Sequence, residues 1–178
     1  MTTMNSPNPG AEPVEVQLAT GAAGVPSPER LAGWAGSALA AVGAAGTVVV
    51  RVVDEEEGRE LNRRYRGRDR ATNVLSFPFE APAGIGVPPA PAHLGDLVIC
   101  APVVAAEAAA QGKEPEAHWA HMLVHGVLHL AGYDHVDEAG AQVMEGEERR
   151  ILAAWGFPDP YADVPAAGGD AGQDEGGG

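Results

Sequence analysis

The sequence predicts an α+β fold, a mixed β-sheet packed with helices, one of which is a metal-binding helix. Three observations carry that prediction. Short β-branched or alternating apolar runs recur between longer runs with helical spacing. Their order reads β-α-β-α-β-β-α-α-α, which suits one mixed sheet covered by helices. Finally, the eighteen residues from His118 to His135 hold five of the six histidines.

The elements follow in order. Residues 1–12 are polar and proline-bearing, with nothing to bury, and predict a disordered N-terminus. Val14, Val16 and Leu18 alternate with polar neighbours as a short first strand. Ser27 and Pro28 are suited to cap and open a helix over 29–42, where Leu31, Trp34 and Leu39 recur at helical spacing. The run Val48 to Val53 is nearly all β-branched and predicts an interior strand. Asp54 is placed to cap a helix over 55–65. Thr72 to Phe77 is strand-like, and Pro78 suits a strand end or an exposed edge. Residues 81–93 read as a proline- and glycine-rich loop, 94–100 as another strand, and 103–111 as an alanine-rich helix closed by Gly112. Pro115 and Glu116 open the histidine helix. Val136 to Trp155 carries Met144, Ile151 and Leu152 among charged residues and predicts a last amphipathic helix. Residues 162–178 read as a disordered acidic tail, which leaves 13–161 as a single domain.

Composition narrows the function. With 25 acidic against 11 basic residues the formal charge is −14, which argues against a protein coating nucleic acid or anionic membrane along its whole surface. The single cysteine, Cys100, excludes an internal disulfide and a cysteine-based zinc site, and its apolar neighbours predict a buried strand residue. The N-terminal residues lack the pattern of a signal peptide, and no apolar run approaches the ~18 residues of a membrane span. A cytoplasmic location and no membrane partner are the expectation.

His125 and His129 are four apart and point the same way from a helix. Gly132 suits a helix end at positive φ, and His135 follows far enough past the break to swing back. Two helical histidines, a glycine turn and a third histidine make a three-ligand cup of the catalytic kind, with one position open. His118 and His121 extend the stripe, but packing, support of a ligand or substrate contact suits them better than ligation. The lone His93 reads as a satisfied core residue. The spacing matches the zincin-like pattern of the metzincin proteases, H-E-x-x-H-x-x-G-x-x-H, except that their glutamate base is replaced here by Gly126. Without that carboxylate, a hydrolase must find its base elsewhere or rely on the metal lowering the pKa of water to about 7.

Six of the eleven basic residues are arginines within positions 59–70: Arg59, Arg63, Arg64, Arg66, Arg68 and Arg70. Arg59, Arg63 and Arg66 fall on one helical face, while Asp69 and the acidic run 54–57 offset part of their charge. Guanidinium forks bind phosphate bidentately, so such a patch beside a metal cup points to a phosphodiester.

The blocks H-G-V-L-H-L-A-G-Y-D-H, R-G-R-D-R-A-T-N-V-L-S-F-P-F and L-G-D-L-V-I-C closely resemble the bacterial YbeY family of endoribonucleases and rRNA maturation factors, over about residues 48–161. The resemblance implies a zinc-dependent, single-strand-specific endoribonuclease acting in 16S rRNA 3′-end maturation, ribosome quality control and 30S subunit biogenesis. It implies one Zn²⁺ per chain held by His125, His129 and His135, and a functionally important arginine at Arg66. On this reading Arg66 is catalytic, and Arg66, Arg63 and Arg68 bind substrate. The expected partners are single-stranded ribosomal RNA, the small ribosomal subunit and a GTPase or ribosomal protein. Either metal-activated water or the RNA's own 2′-hydroxyl serves as nucleophile. Asp134 and Asp96 are each open to two roles, turn former or site carboxylate. Rival readings are a zincin-like metalloprotease and a non-enzymatic assembly factor with a structural zinc.

Overall fold

The β-branched runs pair into one sheet, and the alanine-rich and amphipathic runs close around it. The computed structural model describes residues 13–79, 93–134 and 136–162. The N-terminal stretch 1–12, most of the 81–93 loop, the tail beyond 162 and His135 lie outside the described residues. In chain order the elements are β1 (Val14–Ala19), α1 (Pro28–Ala41), β2 (Thr47–Val53), α2 (Glu55–Arg66), β3 (Val74–Pro78), β4 (His93–Cys100), α3 (Ala101–Gln111), α4 (Pro115–Leu130) and α5 (Glu138–Ala154). The order matches the sequence reading element for element.

The sheet runs β1-β2-β4-β3. Strands β1 and β2 are parallel, as are β2 and β4, whereas β3 lies antiparallel to β4 at an edge. Pro78 closes that edge strand, where its missing N–H breaks no interior ladder. The period of two sorts β2 and β4 onto two faces. Val48, Val50, Val52, Leu97 and Ile99 face a large core with α1, α4 and α5, filled by Leu31, Trp34, Leu123, Leu128, Met144 and Leu152. Val53, Val98 and Cys100 face a smaller core with Leu75, and Leu61 of α2 packs against it. A fully buried leucine of this kind contributes roughly 1.5–3 kcal/mol relative to exposure.

Ser27 caps α1 through its side chain, which accepts from the Arg30 amide, and Pro28 occupies the first turn as expected. Asp54 stands at the N-cap of α2 without a capping side-chain bond, because its carboxylate accepts from the Thr20 hydroxyl instead. Cys100 is buried, and burial pushes its thiol above the ordinary value. Among the described residues no helix is long and apolar enough to cross a membrane.

Candidate active site

Helix α4 is apolar on almost every side, and the sheet and neighbouring helices bury it. Its histidine stripe therefore meets partners chosen by the surrounding elements. The rings step along the helix in nearly perpendicular pairs: His118 to His121 at 6.3 Å, His121 to His125 at 6.2 Å and His125 to His129 at 4.7 Å between centroids. The helix stops at Ala131, and Gly132 takes φ +105°, the left-handed conformation that a Cβ disfavours. The Tyr133 amide then donates to the Leu128 carbonyl at 2.9 Å, folding the chain back beside His129. Asp134 acts in this turn, where its Oδ1 accepts from the Val136 amide at 3.1 Å.

At the buried end of the stripe, helix α3 supplies Glu107. Its Oε1 lies 2.9 Å from His118 Nε2, and its oxygens also accept from the Asn73 amide at 3.0 and 3.2 Å. Burial raises the Glu107 pKa, but these hydrogen bonds outweigh it and hold the carboxyl below its ordinary value.

In the middle of the stripe, helix α5 supplies Glu148, which is 0 % exposed. Its Oε1 lies 3.0 Å from His121 Nε2 and accepts from the Tyr161 hydroxyl, and its Oε2 lies 2.6 Å from His125 Nδ1. Burial raises this carboxyl's pKa, and the bonds to His121 and His125 more than reverse that, to about 2. Burial also lowers the pKa of His121, so its ring is held neutral with Nε2–H directed at the carboxylate. Burial and the adjacent Glu148 carboxylate push the Tyr161 phenol above its ordinary value, so its proton stays in the bond. An isolated buried carboxylate would cost several kcal/mol, and three converging donors offset that here. With Glu148 ionised, its Oε2 accepts and His125 Nδ1 is the donor of their hydrogen bond.

The open end of the stripe lines a cleft of about 560 Å³ formed by His125, His129, Gly132, Tyr133 and Asp134 on one wall and Arg66, Val74, Leu75, Ser76 and Pro78 on the other. Arg66 reaches this cleft because α2 ends there. Gly67 caps α2 at φ +73°, and its amide donates to the Arg63 carbonyl at 3.1 Å. Buried Asn62 pins the following turn by donating to the Arg70 carbonyl at 2.8 Å. The Arg66 guanidinium donates to the Ser76 carbonyl of β3, and its Cζ stands 5.3 Å from the Phe77 ring centroid. A cationic fork and two imidazoles thus share one concavity.

Two donor sets can be weighed for a metal ion. Among the described residues, donor atoms of His121, His125 and Glu148 lie within 4.8 Å of one another and can hold a cation. An ion placed there competes with the hydrogen bonds that already satisfy both Glu148 oxygens. The alternative uses His125 and His129, on the same wall of the cleft, and keeps those bonds intact. Imidazoles one helical turn apart, with ring centroids 4.7 Å apart, can address one ion, which is the donor chemistry of zinc. His135, the third predicted ligand, lies outside the described residues.

His125, His129 and Arg66 line the same cleft. Arg63 pairs with Glu60 at 2.7 Å, and Arg59 with Asp69 at 2.8 Å, on the outer side of α2. Arg68 is exposed just beyond the helix. Asp96 is also exposed and lies 2.9 Å from His93 Nε2, and His93 in turn meets the Thr47 hydroxyl at 3.0 Å. Glu148, Glu107 and Tyr161 were not singled out from sequence. Glu148 had one signal: a carboxylate on the same helical face as Met144, Ile151 and Leu152, where a core residue belongs.

Comparison with known proteins gives the family. A family model described as Endoribonuclease YbeY matches residues 29–156. The chain is 62 % identical over 141 residues to the Endoribonuclease YbeY of Halorhodospira halophila, covering 78 % of this chain and 90 % of that one. It is 59 % identical over 141 residues to the namesake from Alkalilimnicola ehrlichii, covering 78 % and 84 %. The solution structure of a Thermotoga maritima protein matches with a TM-score of 0.51 at 24 % identity, covering 84 % of this chain and 99 % of that one, and is similar in fold.

Proposed function

The chain belongs to the YbeY endoribonuclease family, and from that premise we propose that it is a zinc-dependent, single-strand-specific endoribonuclease. Its setting is 16S rRNA 3′-end maturation, ribosome quality control and 30S subunit biogenesis in the cytoplasm. The small ribosomal subunit is its partner, with a GTPase or ribosomal protein as a further contact. One observation carries the chemical part: the Arg66 guanidinium and the His125–His129 pair line the same cleft.

In this reading His125, His129 and His135 hold one Zn²⁺. A zinc ion so held supplies Lewis acidity toward a phosphoryl oxygen and lowers the pKa of water. Arg66 binds the scissile phosphate through its fork and stabilises charge that develops on the non-bridging oxygens. The Ser76 carbonyl and the Phe77 ring restrict the guanidinium to the cleft, so little reorganisation is left for the reaction. Arg63 and Arg68, one turn before and just beyond the helix end, attract the flanking phosphates in a chain that is otherwise acidic. Peptide hydrolysis is disfavoured because the position of the protease base is Gly126, whose α-carbon is packed on Leu97 and leaves no room for a carboxylate.

Incubation with single-stranded RNA, duplex RNA and casein, each with and without chelator, tests this. The expected result is chelator-sensitive cleavage of single-stranded RNA alone. Chelator-sensitive proteolysis without RNA cleavage would overturn it.

A further inference from the structure

Glu148 is fully buried behind the cleft, yet three separate side chains, His121, His125 and Tyr161, converge on its carboxylate. If it served stability alone, an apolar residue of similar size would do as well, because a buried ionised group pays a desolvation cost that packing avoids. The surrounding α5 positions Met144, Ile151 and Leu152 are apolar and buried. What distinguishes position 148 is where its two oxygens point. Oε2 meets His125 Nδ1 at 2.6 Å, while Oε1 is held by His121 Nε2 at 3.0 Å and by the Tyr161 hydroxyl. Tyr161 is itself fixed: its amide donates to Asp159 Oδ1 at 2.8 Å, and Arg149 stands 5.3 Å from its ring centroid.

We propose that Glu148 is a positioning residue for the metal site. It accepts the Nδ1 proton of His125, so that the imidazole presents Nε2 to the cleft, and Tyr161 and His121 hold the carboxylate in register. The inference rests on the reading that His125 ligates zinc. A hydrogen-bonded carboxylate fixes a ligand's tautomer and ring orientation and makes it a stronger donor. Helix α5 and the segment through Tyr161 thus become part of the metal site without touching the ion. His121 takes a supporting place on the stripe, its Nε2 directed at Glu148 rather than into the cleft.

The test uses the full chain and Zn²⁺ alone, titrated in competition with a chromophoric chelator. Melting of the metal-free protein is followed in parallel, as is the visible spectrum of the Co²⁺ form. Glu148→Gln keeps the shape and is expected to weaken Zn²⁺ binding about 10- to 100-fold, with shifted Co²⁺ bands. Tyr161→Phe is expected to weaken it by a smaller factor while the metal-free protein melts as the parent does. Parental affinity in both variants overturns the proposal; if Glu148→Gln does not fold, parental affinity in Tyr161→Phe does so alone. Parental affinity in His129→Ala together with lost binding in Glu148→Gln also overturns it, by making Glu148 a ligand. A parent chain that binds no Zn²⁺ sinks the zinc reading itself and the proposal with it, a result distinct from the others.

Discussion

Gly126 lies between His125 and His129 on α4, and a Cβ there would stand 2.7 Å from Leu97 Cδ2 in the fully buried core. The residue that separates this cup from the metalloprotease pattern is therefore also a point of close approach between helix and sheet. Spacing alone revealed the first role and not the second, since close approach depends on β4, nearly thirty residues earlier in the chain. Gly126→Val is expected to destabilise the protein by about 1–3 kcal/mol through overpacking, read by urea denaturation. A parental midpoint would show that Leu97 has room to move. Residue-scale reading succeeded where chemistry is written locally, as at Gly132, which takes the positive φ that its place after the helix predicted. It missed Glu148, whose meaning comes from three donors on other segments.

At the scale of elements, α2 and α4 reach the cleft by different routes. Helix α4 brings its histidines by periodicity, which the sequence shows plainly. Helix α2 brings one arginine of its face, Arg66, while Arg59 and Arg63 turn to Asp69 and Glu60. That division was only partly legible, because the acids that offset the patch are evident in the sequence but their pairings are not. Arg63→Ala and Arg68→Ala are expected to weaken RNA binding a few-fold and to reduce the slope of affinity against salt by about 1 each, as for a lost phosphate contact. An unchanged slope would remove them from the RNA path. Helix α3 contributes Glu107, whose folded pKa is lowered beneath its ordinary 4.5. A lowered carboxyl contributes stability that is present above the unfolded value and is lost as pH falls through the folded one. Stability should therefore decline below about pH 4.5, and Glu107→Gln should make that decline shallower in acid titrations followed by circular dichroism. An equally steep decline would mean that the Glu107–His118 contact is not formed in solution.

For the whole molecule, the sheet order explains why the site is where it is. The edge strand β3 runs antiparallel beside β4, so the Ser76–Phe77 wall faces the C-terminal half of α4, and α2 ends against it. The sequence predicted nine elements in the observed order because each carries its own period and its own punctuation. The pairing order β1-β2-β4-β3 was not legible, since strands that look alike locally are sorted by packing. Within an acidic chain, the cleft brings one guanidinium, Arg66, beside two histidines. The most direct measurement is single-turnover cleavage of single-stranded RNA by the parent chain and by Arg66→Glu, with bound zinc quantified in both. Equal zinc in the two proteins is expected, with a loss of cleavage of at least about 100-fold in Arg66→Glu, the scale seen when a charge that stabilises the transition state is removed. Equal zinc with undiminished cleavage would contradict that role of Arg66.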